Sequence, residues 1–523
     1  MTPIHSNLGA SMPALPYWLD SVELPTFPSL HHDTEVDVAI VGGGITGITA
    51  AYLLANEGLD VALLEADTLS NGTTGHTTAK LTAQHGLIYD ELMQHMGKEK
   101  AKLYYESNIE ALEFIRQTVE SEQIECDFTE EDAYVFASSD KQAVKVEQEW
   151  YAYRRLGIDG NLVQDIPLDI DVHNAIVMNH QAQFHPVKYL LHLVEDIVNQ
   201  GGRIYEGTVA VNVEDGDRPV VVTRNGYRVS AKKVLSCSHF PFHGGKGFYF
   251  TRMHADRAYV VAVKTRTGYP GGMYISAEVP TRSVRSIQIG NKEMVLVVGE
   301  THKAGQSLDT TSHYEALERF AKNTLDAEQV VYRWSTQDLS TLDKVPYIGE
   351  LSSGNSNVLV ATGFRKWGMT TGTTAALLLS DIVLDKPNPY RELYSPSRFY
   401  PDPSLRTFLS ENANVAAHLI KGKFNFPQTE VQDVASGHGS VITFNGKRAG
   451  AYREKDGTLY VVDTTCTHLG CEVVWNDADS SWDCPCHGSR FTYDGQVMEG
   501  PARAPLETLW RESAETRNKN HKH

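Results

Sequence analysis

The stretch Val36-Asp37-Val38-Ala39-Ile40-Val41-Gly42-Gly43-Gly44-Ile45-Thr46-Gly47 decides how the first part of the chain is read. The apolar run Val36 to Val41 reads as a buried strand, the glycines lead into a helix-like stretch ending near Glu57, and Val61 to Leu64 reads as a second strand. That is a βαβ opening. Gly42, Gly44 and Gly47 fit G-x-G-x-x-G, a weak signal alone. Here it follows a strand and opens a helix, so backbone N–H groups can approach a pyrophosphate at the positive helix end. Glu65 closes the second strand 18 residues after Gly47, placed to accept from ribose hydroxyls. A bound dinucleotide is expected.

Working outward, Ser70-Asn71-Gly72-Thr73-Thr74-Gly75-His76-Thr77-Thr78-Ala79 resembles the flavin-contacting loop of the glycine oxidase and D-amino-acid oxidase superfamily. A second segment, from Trp334 through Asp343-Lys344-Val345-Pro346-Tyr347-Ile348-Gly349 to Ala361-Thr362-Gly363-Phe364-Arg365-Lys366-Trp367-Gly368-Met369-Thr370, resembles its closing motif. The resemblance spans roughly residues 36 to 385 and implies FAD, with Thr73, Thr74, His76, Gly363, Trp367, Gly368 and Met369 around it. A helix beginning near Met369 would aim its N–H groups at flavin N1 and the C2 carbonyl, favouring the anion formed on reduction. Related dimethylglycine-type dehydrogenases attach FAD covalently through a histidine at the place of His76; covalent and non-covalent contact both stay open. Superfamily members often carry a small residue and histidine where this chain has Lys366-Trp367. Tyr259, Tyr274, Arg285, His302 and Lys366 are the catalytic candidates for the substrate face, since Arg and Tyr together can clamp a carboxylate.

The 523 residues suggest roughly three or four structural units. Lys and Arg total 47 against 66 Asp and Glu, a net charge of −19 that repels phosphate backbones, so no nucleic-acid partner is expected. The most apolar stretch, Val36 to Ala55, is broken by glycines and reads poorly as a membrane span. No basic residue precedes Lys80, which leaves no cationic n-region, and a cytoplasmic location is the expectation. Residues 1–34 read as an arm and 35–385 as the oxidoreductase with interleaved FAD-binding and substrate subdomains. Five prolines between Asp385 and Leu405 exclude regular helix there, so 386–425 reads as a linker. Short strand-like segments then give an all-β module over 426–510 and a frayed tail over 511–523.

Within that module stand Cys466-Thr467-His468-Leu469-Gly470-Cys471 and Cys484-Pro485-Cys486-His487-Gly488-Ser489. Two thiolates and two imidazoles suit either zinc or an iron–sulfur centre. The pattern resembles the disulfide-containing Rieske [2Fe–2S] family of cytochrome bc complexes, over residues 426 to 509. By that resemblance Cys466 and Cys484 hold one iron, His468 and His487 the other, and Cys471 pairs with Cys486 in a disulfide. Histidine ligation raises the potential into a range of about −150 to +300 mV. Ser489 stands where high-potential members carry a hydroxyl donor, but Phe491 replaces their tyrosine, so a potential below theirs is expected. Gly500-Pro501 resembles the proline loop that covers their cluster.

The expected fold is α/β, an FAD-binding Rossmann-like βαβ with a mixed-sheet substrate domain, plus a C-terminal all-β Rieske domain. A flavin takes two electrons as hydride and a [2Fe–2S] cluster takes one. The fusion therefore reads as an FAD-dependent dehydrogenase acting on CH–NH of an amine or amino acid, passing single electrons to an external acceptor, protein or quinone. Three competitors stand beside it. A Rieske oxygenase would need a mononuclear iron, with Asp171, His180 and His185 as candidate ligands. An NAD(P)H-driven reductase would usually need a second nucleotide site, and no second glycine fingerprint is present. A non-enzymatic redox carrier or sensor is the third.

Overall fold

The computed structural model describes residues 16–243, 247–290, 292–307, 309–352, 354–424 and 429–513. Strand Thr34–Val41 runs parallel to Val61–Leu64 on one side and Arg228–Ser236 on the other, with helix Ile45–Asn56 between the first two in sequence. Asn355–Thr362 and Arg203–Tyr205 extend the parallel sheet, and Tyr347–Ser352 closes one edge antiparallel. Helices Ile45–Asn56, Pro186–Asn199 and Gly368–Val383 bury their apolar faces in the largest core cluster.

A second sheet of nine strands begins with the edge strand Ala327–Thr341, followed by Met253–Thr265, Lys292–Lys303 and Arg282–Ile289. Helix Thr311–Leu325 covers one face through Tyr314, Leu317 and Ala321, packed against Tyr259, Val261 and Val263. The C-terminal module consists of two four-stranded antiparallel sheets, Gly439–Phe444 to Thr508–Glu512 and Val474–Asn476 to Val497–Glu499. Among the described residues no helix is long and apolar enough to cross a membrane.

Three segments carry more structure than their sequence makes legible. Residues 1–15 of the arm lie outside the described residues, but helix Tyr17–Asp20 buries Trp18, whose Nε1 donates to Thr77 O at 2.7 Å. A single helical turn has no period to detect. The connection is not a plain linker either: the chain kinks at Asp402, whose φ of −111° and ψ of 122° are not helical, and then runs as helix to Phe424 with Pro403 in its first turn, where the missing N–H is no loss. Arg398 ties this connection to the oxidoreductase, Nε and Nη2 each 2.8 Å from the Asp343 carboxylate. Arg511 and Glu512, read as tail, complete the last strand; residues 514–523 lie outside the described set.

Candidate functional site: two cofactor centres beside one strand

The first centre is mostly backbone. At Gly47 an added Cβ would stand 2.0 Å from Gly42 O, and at Gly44 it would stand 2.9 Å from Thr74 Oγ1, so only glycine lets the loop close against the helix. Thr74 Oγ1 accepts from Ile45 N at 3.0 Å, and Glu65 accepts from Gly43 N at 2.6 Å and Asp67 N at 2.9 Å. Burial pushes the Glu65 carboxyl up, against those N–H donors. The second helix, Gly368–Val383, starts beside the first: a Cβ on Gly372 would meet Thr46 Oγ1 at 2.9 Å. That hydroxyl is buried without a hydrogen-bond partner among the described residues. Two helix N-termini, glycine-lined loops and an orphaned hydroxyl fit an anionic dinucleotide. Gly363, Trp367, Gly368 and Met369 lie at the start of the second helix, with Trp367 stacked on His85 at 4.7 Å. His76 is half-buried, with Nδ1 2.9 Å from Gly72 O.

Of the five substrate-face candidates, the structure brings two to this side of the nine-stranded sheet. Lys366 Nζ donates to Thr301 Oγ1, and its backbone N–H donates to Asp338 Oδ2. Arg285 spends its Nη1 on the carbonyls of Thr78 and Ala79, at 2.9 and 2.7 Å, and its Nε on Ser286 O, so it orders the nucleotide loop. Tyr259, Tyr274 and His302 lie across the sheet. Tyr259 and Tyr274 share a core with helix Thr311–Leu325, and His302 stacks on His313 of that helix at 4.7 Å. Parity along a strand decides the face, and the extra residue between Gly299 and His302, opposite Arg257 to Tyr259, is not legible from composition.

The sequence reading missed a pair beside Lys366. Asp256 and Asp338 are cross-strand partners. Asp256 Oδ2 lies 3.4 Å from His254 Nε2 and 3.2 Å from Ser340 Oγ. Burial opposes its charge, yet His254 holds its carboxyl below the ordinary value, while burial pushes Asp338 up. Neighbouring carboxyls driven apart in this way can divide acid and base roles. Only the strand register, not local sequence, joins them.

The second centre is built from side chains. Cys466 and Cys484 are free and buried, and the His468 and His487 rings stand 5.0 Å apart. Cys471 and Cys486 form a disulfide between the two loops. The Cys466 thiol is held at about 7 by the hydrogen bond from Cys484, against burial, with help from His468 N–H and the Ser489 hydroxyl. Burial lowers both histidines to about 4, keeping them neutral as ligation requires. His468 Nδ1 is buried without a partner among the described residues. These donors fit a two-thiolate, two-imidazole cluster. Ser489 Oγ also accepts from Ala502 N at 3.0 Å, beyond Gly500-Pro501, whereas Phe491 is fully buried and has no hydroxyl. The mononuclear alternative does not assemble: His180 pairs with Glu130 at 2.8 Å, His185 meets Ser21 Oγ at 2.9 Å, and Asp171 is exposed.

Residues 37–382 match the family profile described as FAD dependent oxidoreductase. The chain belongs to that family. Residues 425–510 match the Rieske [2Fe-2S] domain, which decides against zinc, so this FAD-dependent oxidoreductase carries two cofactors, FAD and a [2Fe–2S] cluster. The Bacillus subtilis (strain 168) protein YhfW, whose name describes a Rieske 2Fe-2S iron–sulfur protein, is 50% identical over 94% of this chain and 97% of its own. The gamma-glutamylputrescine oxidoreductase of Escherichia coli (strain K12) is 24% identical over 73% and 91%. Glycine oxidase from Geobacillus kaustophilus shares the fold of 70% of the chain, with 99% of its own covered, TM-score 0.60 and 19% identity.

The FAD-dependent oxidoreductase and Rieske parts are docked. Arg257, fully buried, lies 3.5 Å from Asp479 and 3.6 Å from Asp483 of the Rieske module. Arg490 pairs with both and with Glu499. Phe250 meets the His468 and His487 rings edge-on at 5.5 and 5.6 Å.

Proposed function

We propose that the protein oxidises an amine or amino-acid-type substrate and passes the electrons singly through the Rieske module to an external one-electron acceptor, protein or quinone. One observation carries this reading: both centres contact the same strand, Ala327–Thr341, through His76 on one side and Gly488 on the other. The related gamma-glutamylputrescine oxidoreductase and the similarly folded glycine oxidase support the substrate class by what they are named for. When bound, FAD supplies a hydride acceptor and the cluster a one-electron carrier. Gly42, Gly44, Gly47, Glu65, Thr73, Thr74 and the helix start at Gly368 would hold the first; Cys466, Cys484, His468 and His487 the second.

An amine arrives as ammonium, and its carbon gives up hydride only when the nitrogen lone pair is free. We assign that proton to the Asp256 carboxylate, which lies 3.4 Å from His254 Nε2. Lys366 offers the positive charge for a substrate carboxylate, since the Nη1 and Nε donors of Arg285 are committed to backbone carbonyls. Water then hydrolyses the imine product.

The test is anaerobic addition of amino acids, N-methylated amines and NADH, one at a time, with flavin absorbance and paramagnetic resonance followed together. An amine that bleaches the flavin and brings up the reduced Rieske signal supports the reading. Bleaching by NADH alone makes the protein an outward reductase, and no bleaching by any of them leaves a redox carrier.

A further inference from the structure

Strand Ala327–Thr341 is the edge of the nine-stranded sheet and stands as a wall one strand thick between the two centres. Alternate side chains of a strand leave opposite faces. On one face Trp334 Nε1 donates to His76 O at 2.9 Å, and Asp338 accepts from Lys366 N; both partners belong to the nucleotide loops. On the other face Ser335 Oγ donates to Asp479 Oδ2 at 2.5 Å, and Gln337 Nε2 donates to Gly488 O at 2.8 Å; both partners belong to the Rieske module.

Gln337 touches both sides at once. Its backbone carbonyl accepts from Thr73 Oγ1 at 3.1 Å, while its side-chain Oε1 accepts from Arg257 Nη2 at 3.0 Å. Arg257 can only donate and the Gly488 carbonyl can only accept, so the side chain between them needs one acceptor and one donor in a single plane, which an amide supplies. Gly488 follows His487 directly. Its φ is +80°, and a Cβ there would stand 2.4 Å from Ala255 Cβ, so the backbone after the ligand lies against strand Met253–Thr265, the wall's neighbour, with no side chain between.

We infer that Gln337 is the positioning residue that registers the loop after His487 against the loop carrying Thr73, and so marks where electrons cross between the centres. The inference rests on the reading that electrons run from the nucleotide centre to the cluster. Each crossing makes and breaks no bond: the donor centre loses one electron and the cluster gains one. Two crossings, each followed by release to the external acceptor, clear the pair taken from one substrate.

The holoprotein and its Gln337→Met and Gln337→Glu variants would be reduced anaerobically by light with a sacrificial donor, which needs no substrate, and flavin and cluster signals followed in time. Both variants keep the size of the side chain, and Gln337→Glu keeps the acceptor for Arg257 while losing the donor to Gly488. The expected result is cluster reduction slowed about tenfold or more, as for misplacement in a positioned site, with flavin content, cluster resonance and cluster potential unchanged. An unchanged rate in both folded variants overturns the inference, and so does a shifted potential that accounts for the slowing. If the cluster of the unaltered protein stays oxidised beside a reduced flavin, the electron route itself falls. If only the substrate panel fails, the inference stands without that substrate class.

Discussion

At the nucleotide centre the chain offers mainly backbone: glycines packed within 2.0 to 2.9 Å of what a Cβ would meet, and two helix starts. At the cluster it offers four side chains, two thiols and two imidazoles, with a disulfide bracing the loops that carry them. A backbone cradle spreads binding over many weak donors, so damage to it is graded. A four-ligand chelate has nothing to spare.

The largest effect that contrast demands is at Cys484. Cys484→Ser should abolish the cluster, read as loss of iron and of the Rieske resonance, and leave FAD content intact; loss of both cofactors would break the contrast. Next is Arg257→Met, which takes from Asp479 and Asp483 the cation that the oxidoreductase supplies and leaves them Arg490, a loss below the about 3–5 kcal/mol of a fully unpaired buried charge. The Rieske module should then be released by limited proteolysis before Pro401. Acid should do the same in the unaltered protein. Burial opposes the charges of Asp483 and Glu499, but Arg257 and Arg490 hold both carboxyls low. A carboxyl lower when folded contributes stability above its unfolded value, about 4, and loses that contribution as pH falls through the folded value. Release that starts near neutral pH would contradict the assignment.

Gly47→Ala is expected to cost about 1–3 kcal/mol through the clash with Gly42 O. It should lower the ratio of flavin to protein absorbance without touching iron per chain, which sharpens the contrast. The smallest effect is at Ser489. Removing its hydroxyl takes about 0.5–1.5 kcal/mol of hydrogen bonding from the sulfur side, which at about 59 mV per tenfold change for one electron lowers the potential on the order of 20–60 mV. A redox titration of Ser489→Ala reads this directly.

The same contrast explains what the sequence makes legible. The βαβ opening and the cluster residues are local patterns whose geometry is fixed by neighbours a few residues away. Asp256 and Asp338 meet only through strand register, and His302 falls on the far face, with Tyr259, because an extra residue between Gly299 and His302 resets the alternation of its strand. Arg257 reads as an ordinary charged residue in a strand, and nothing near it shows that its partners lie more than two hundred residues later. The helix that runs from the kink at Asp402 to Phe424 is masked in the sequence because prolines that end one helix also begin another.

The two ligand loops are seated unequally. Cys466 and Cys484 are 2% and 1% exposed, yet at the tip of the first loop Leu469 is 51% exposed, whereas the loop after His487 is pressed against Ala255. The module therefore turns one ligand loop inward to the oxidoreductase and keeps the tip of the other in solvent.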